Sequence, residues 1–174
     1  LLETYRMPHT KEEETKIFNF FFCTDRKVTE SENPLLSYGT EFAEELRLGT
    51  FKVHLSPERD LRGDNPDNWS GIEVRNVQAV QEETFFGELQ YAVESSPHKS
   101  LAVLVFGYRN SFKDALLKGG KLAVSLDIHT PFLIFDWPAD QGLGFGGYKK
   151  AFSFAERSGV FLGELLANII RRIK

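Results

Sequence analysis

The stretch that most constrains this chain is Leu101–Phe106, six consecutive apolar residues closed by Gly107 and followed at once by a helix-like segment, Ser111–Leu126. A run this short, rich in Val and Leu and ended by glycine, reads as a strand buried on both faces, the pattern of a parallel sheet covered by helices. The expectation is an α/β fold with this strand at its centre. Open α/β sheets place their ligand chemistry where strands run into helices. The turn Phe106-Gly107-Tyr108-Arg109-Asn110 is therefore the first place to look for function.

The rest of the chain fits around that strand. Leu1–Lys16 is polar and acidic and reads as a solvated lead-in, with one domain over residues 17–174. Ile17–Cys23, dense in aromatics, favours a first strand, and Thr24-Asp25-Arg26-Lys27 leaves its end as a polar cluster. Asp25 and Arg26 read as a structural ion pair or turn cap ahead of any catalytic or substrate-binding role. Ser31–Leu48 is expected to be a loop with a turn at Ser37-Tyr38-Gly39. Gly49–Leu55 alternates as a half-exposed strand, and Ser56–Gly71 is a turn-rich connection without the residue order of a calcium loop. Ile72–Val80 reads as a strand. Glu82–Ser95 reads as an amphipathic helix with Phe85, Phe86, Leu89 and Val93 on its inner stripe.

Beyond the apolar run, Ser111 or Asn110 caps the next helix and Asp114 sits near its positive end. Phe132–Phe135 is then a second buried strand, parallel to the first because the helix supplies the crossover. Gly142, Gly144 and Gly147 match G-x-G-x-x-G in form. A dinucleotide fingerprint also needs an acid at the end of a following strand, and Glu164 lies in a helical stretch instead, so this segment reads as a loop over the sheet edge. Tyr148–Lys174 reads as a long helix with Ala155, Leu162, Leu165, Leu166, Ile169 and Ile170 on one apolar face.

Composition removes several classes of function. A net charge of −4 and a pI near 5.6, with basic residues dense only near Arg171-Arg172, argue against a surface that tracks nucleic-acid phosphates. No stretch is long and apolar enough to span a membrane. The single cysteine, Cys23, excludes an intrachain disulfide framework and reads as a buried small hydrophobe. His9, His54, His98 and His129 have no partners at metal-ligand spacing, so neither a metal nor a cofactor is expected. The opening residues lack the apolar centre of a signal peptide, which favours the cytoplasm.

Four short segments, in order, resemble a family of bacterial α/β-hydrolases of uncertain substrate, often described as esterase/lipase-superfamily proteins. Where that family carries His-Gly-Tyr-Asn-x-Ser-Phe-x-Asp-Ala, this chain has Phe106-Gly107-Tyr108-Arg109-Asn110-Ser111-Phe112-Lys113-Asp114-Ala115. Cys23-Thr24-Asp25-Arg26-Lys27 is similar to its Ala-Thr-Asp-Arg-Lys, Leu36-Ser37-Tyr38-Gly39 to its Leu-Ser-Tyr-Gly, and Phe135-Asp136-Trp137-Pro138-Ala139 to its Phe-Ser-Trp-Pro-Ser. The resemblance implies an α/β-hydrolase-like fold, a mostly parallel sheet flanked by helices and incomplete on its C-terminal side. It also places the oxyanion-binding backbone at Gly107 and Tyr108, with Tyr108, Asn110 and Trp137 walling the pocket.

The family's His before the glycine is Phe106 here, which keeps a backbone amide and loses an imidazole. The G-x-S-x-G nucleophile turn does not occur in the 174 residues. The expectation is thus the N-terminal portion of a serine esterase or lipase, with nucleophile, acid and base supplied by further sequence or a second chain, and a small ester as substrate. The competing expectation is a non-catalytic hydrolase-like module that binds a protein partner through its last helix.

Overall fold

The structure, a computed structural model, describes residues 15–126 and 129–173. Five strands and three main helices follow in the order β1 (Lys16–Val28), β2 (Tyr38–Asp60), β3 (Ser70–Ala79), α1 (Glu82–Ser95), β4 (Ala102–Val105), α2 (Phe112–Ser125), β5 (Phe132–Asp136) and α3 (Gly144–Arg172). The strands form one sheet ordered β3-β2-β1-β5-β4. β5 runs parallel to both β1 and β4, while β2 is antiparallel to β1 and β3. The sheet is therefore mixed: parallel where a helix supplies the crossover and antiparallel where short connections return the chain directly.

Alternation along the strands sorts the core into two layers. Phe20, Phe22 and Ile134 face α2 and pack with Phe112, Ala115 and Leu116. Phe21, Cys23, Leu133 and Phe135 face the other way, against Phe85 and Leu89 of α1 and Leu165 and Ile169 of α3. β1 and β5 are thus the strands covered on both faces and paired on both edges. The Leu101–Phe106 run does not hold the centre: β4 is the outer strand, paired with β5 alone among the described residues and only half-buried, with Val105 half exposed. Its apolar composition answers to the helices above and below it, a condition separate from having neighbours on both sides.

Two expected loops are strand. β2 begins at Tyr38 and runs 23 residues to Asp60, taking in half of the Ser31–Leu48 segment and the start of Ser56–Gly71. Its first half pairs Arg26 with Phe42 and Val28 with Tyr38 beyond two irregularities in register. Phe42 holds that half in place by stacking on Phe161, ring centroids 5.7 Å apart, beneath the Arg157 guanidinium at 3.8 Å. These partners lie more than a hundred positions along the chain, which is why local composition reads as loop.

The helices begin where their caps dictate. Ser111 Oγ accepts from the Asp114 N–H and Asp114 Oδ2 accepts from the Ser111 N–H, both at 3.1 Å, a complete capping box for α2. α2 sits low on the sheet because Gly119 lies where a Cβ would run into Ile134. α3 starts at Gly144, so the second half of the expected glycine loop forms its first turn. Gly142 and Gly144, with φ of 88° and 78°, make the bend that leads into it. Of the face expected on α3, Leu165 and Ile169 are buried and Ala155 and Leu162 half-buried, whereas Leu166 and Ile170 turn to solvent. No helix among the described residues is long and apolar enough to cross a membrane. The lead-in, apart from Thr15 and Lys16, lies outside the described residues, as does His9.

Candidate functional site

Because β1, β5 and β4 are parallel, their C-terminal ends emerge together and bring three segments side by side: Thr24-Asp25-Arg26, Asp136–Asp140 and Phe106–Asn110. Arg26 ties them to one another. Its fully buried guanidinium donates through Nε to Asp136 Oδ2 (2.7 Å), through Nη1 to Gly39 O (2.9 Å) and Asp140 Oδ1 (2.6 Å), and through Nη2 to Asn110 O (2.8 Å) and Trp137 O (2.7 Å). All five donors of the guanidinium are used.

Burial works against the charge on Arg26, and the Asp136 and Asp140 carboxylates outweigh it and hold the group protonated. Burial likewise pushes Asp136 up, opposed by Arg26 and by the Thr24 hydroxyl, which donates at 2.7 Å. An arginine is charged at any ordinary pH, so the fixed 2.7 Å geometry describes an ion pair.

The β4–α2 loop is braced from several directions. The Trp137 indole donates to Phe106 O, Asn110 Nδ2 to Gly107 O and Tyr108 Oη to Gly142 O, each at 2.7 Å. Lys118 Nζ donates to Asn110 Oδ1 at 2.6 Å. Arg109 adopts φ 72° and gives its N–H to Ala139 O at 2.9 Å. The carbonyls of Phe106, Gly107 and Asn110 are therefore all engaged, while the successive N–H groups of Gly107 and Tyr108 meet no acceptor among the described residues. Backbone N–H groups without an internal acceptor are available to a negatively charged group. Beside them a cleft of about 300 Å3 opens between the loop and α3, lined by Val105, Phe135, Trp137, Gly159 and Leu162 among others.

Behind this cleft lies an unpaired acid. Asp25 and Ser158 are buried, and neither carboxyl oxygen of Asp25 nor the Ser158 hydroxyl has a hydrogen-bond partner among the described residues. Burial pushes the Asp25 carboxyl up to about 6, against a partial pull downward from the neighbouring Ser158 hydroxyl, which stands close without forming a bond. Cys23, one pleat away on the same face, is buried, and desolvation followed by the Asp25 and Asp136 charges pushes its thiol well up, the condition of an inert thiol.

The residues singled out in the sequence thus fall into three roles. Gly107 and Tyr108 carry the free N–H groups, Trp137 lines the cleft, and Asn110 spends its side chain inside the loop. Arg26 does form a structural ion pair, with acids 110 and 114 positions away, and Asp25 forms none. Sequence reading missed Asp136, Asp140 and Lys118 as the groups that fix the loop. The available signal was the pair of acids bracketing Trp137-Pro138 at the end of a buried strand. Among the described residues no group of three or more His, Cys, Asp or Glu side chains is placed to hold a metal.

Residues 81–173, from the start of α1 to the end of α3, match the family described as alpha/beta hydrolase of unknown function (DUF900). The chain belongs to this family. No curated protein and no solved structure matches the chain. Within the alpha/beta hydrolase of unknown function family, the matched span contains β4, its loop, α2, β5 and the Asp136–Asp140 turn. The braced loop and its cleft therefore lie within the matched span, while Arg26, which locks them, comes from β1 outside it.

Proposed function

We propose that this chain supplies the sheet, oxyanion loop and pocket wall of a serine esterase or lipase-like hydrolase, with nucleophile, acid and base contributed by polypeptide outside these 174 residues. The observation that carries the reading is the pair of free N–H groups at Gly107 and Tyr108, fixed by Arg26, Asn110 and Trp137. In α/β-hydrolases one oxyanion donor comes from the loop after this strand and the other from the residue following the nucleophile.

Topology supports the same reading. The connection from β4 through α2 to β5 uses one face of the sheet, and α3 lies on the other. Crossovers between parallel strands are right-handed, so a helix on that second face is placed to carry the chain back past β5 to the open edge of β4. A strand there would deliver a nucleophile turn beside Gly107. The substrate would be a small ester, with Trp137 at the pocket wall, while Tyr108 turns its ring to Gly142 and Tyr148.

The test is turnover of p-nitrophenyl butyrate together with labelling by a serine-directed fluorophosphonate. The chain alone is expected to do neither, and the chain joined to a strand-and-nucleophile segment to do both. In that completed enzyme Tyr108→Pro, which deletes one N–H, is expected to lower kcat by about 10²–10³. Ester hydrolysis by the isolated chain that survives the fluorophosphonate would overturn the reading.

A second reading rests on α3, whose outer side exposes Phe152 (56%), Val160 (63%) and Ile170 (78%). A non-catalytic module would bind a protein partner there. Partner capture lost in Phe152→Glu/Ile170→Glu, with no ester turnover in any assembled form, separates it from the first.

A further inference from the structure

On the face of the sheet opposite α3, a cleft of about 360 Å3 opens between α2 and the 61–69 loop, with Phe106 between it and the Gly107–α3 cleft. Its walls are Trp69, Phe106 and Leu122, all half-buried. Two ammonium groups reach into it. Lys121 Nζ stands 4.3 Å from the centre of the Trp69 ring and donates to Gly63 O at 2.7 Å. Lys118 Nζ donates to Asn110 Oδ1 at 2.6 Å. An ammonium carries three N–H donors, and each lysine uses one of them on an acceptor among the described residues, which leaves donors for a ligand. Asp64 stands exposed at the rim, so the lining carries two positive charges against one negative.

We propose that this cleft is a binding site for a small organic anion, its apolar body against Trp69, Phe106 and Leu122 and its carboxylate or phosphate on Lys118 and Lys121. A neutral apolar ligand would leave the ammonium groups unused, and an inorganic anion would leave the aromatic walls in water. The volume lies at the low end for ligand pockets, which matches a body of about one ring. The site meets the proposed ester chemistry at two points, Phe106, which lines both clefts, and Lys118. Lys118 also holds Asn110, which holds Gly107, so an anion there would sit on the same ammonium group that braces the loop.

The experiment is an NMR titration of the full chain with phenyl phosphate and phenylacetate, against benzyl alcohol and inorganic phosphate. The readout is the Trp69 indole N–H, assigned by its loss in Trp69→Phe and distinct from Trp137. Saturable shifts of that signal by the two aromatic anions are expected, weakened by added salt. Affinity should fall about tenfold or more in Lys118→Met/Lys121→Met, with the unfolding midpoint of the variant as the check on folding. Equal binding of benzyl alcohol, equal binding of inorganic phosphate, indifference to salt, or unchanged affinity in the folded double variant would each overturn the proposal. None of these outcomes depends on ester turnover, so the two readings stand or fall separately.

Discussion

Replacing Arg26 with Met leaves Asp136 fully buried with only the Thr24 hydroxyl to meet its charge, and releases the carbonyls of Gly39, Asn110 and Trp137 at the same time. Breaking a buried pair from one side costs about 3–5 kcal/mol. Urea unfolding of Arg26→Met should show a loss of that size, and Arg26→Met/Asp136→Leu should recover part of it. Asp25 gives the opposite kind of result. Its carboxyl is held at about 6 rather than the ordinary 3.8, mainly by burial, so the folded state binds more protons than the unfolded state between those values. Stability then falls as pH rises through that window and stays lower above it, by at most about 3 kcal/mol at ~1.4 kcal/mol per pH unit. Asp25→Asn should flatten the pH dependence between pH 4 and about 6 and stabilise the protein at pH 8, read from denaturation midpoints at both ends. The sequence announced Asp25 and Arg26 as neighbours in one polar cluster. It gave no sign that one would have five bonds and the other none, because the acids that decide this sit on the far strand and its turn.

Among the elements, the helices were the most legible from sequence. α1 and α2 fall within a residue of their expected bounds because cap and stripe are both local: Ser111 and Asp114 mark the start of α2, and Phe85, Phe86, Leu89 and Val93 mark the inner face of α1. Ser111→Ala removes one half of the capping box and should cost about 1 kcal/mol, whereas Ser111→Asp should retain most of the stability in the same thermal melt. Gly119→Ala forces a methyl into Ile134, and a loss of about 1–3 kcal/mol is expected, reduced when Ile134→Val makes room. Strands were less legible where their support is distant. The first half of β2 is polar and half-exposed, and its extended course rests on pairing with β1, on the Arg26 bond to Gly39 O and on Phe42 packed under α3. β4 misled in the other direction. Apolar residues on both sides of a strand report helices above and below it and carry no information about how many strands lie beside it.

For the molecule as a whole, the side of β4 that has no partner strand among the described residues governs behaviour in solution. An unpaired strand edge invites pairing with another chain, and Val105 adds exposed apolar surface there. Sedimentation of the isolated chain should show association that grows with concentration, and Val105→Lys should reduce it without lowering the melting temperature. The order of the strands has one more consequence. β1 leaves the ribosome first, yet Arg26 must wait for Asp136, 110 residues later. At translation speeds of about 5–20 residues per second, that is an interval of roughly 5–20 s. Through that interval the nascent polypeptide carries Phe20, Phe21 and Phe22 with one flank uncovered. This aromatic segment thus waits longest for its second neighbour, and slower translation lengthens the wait.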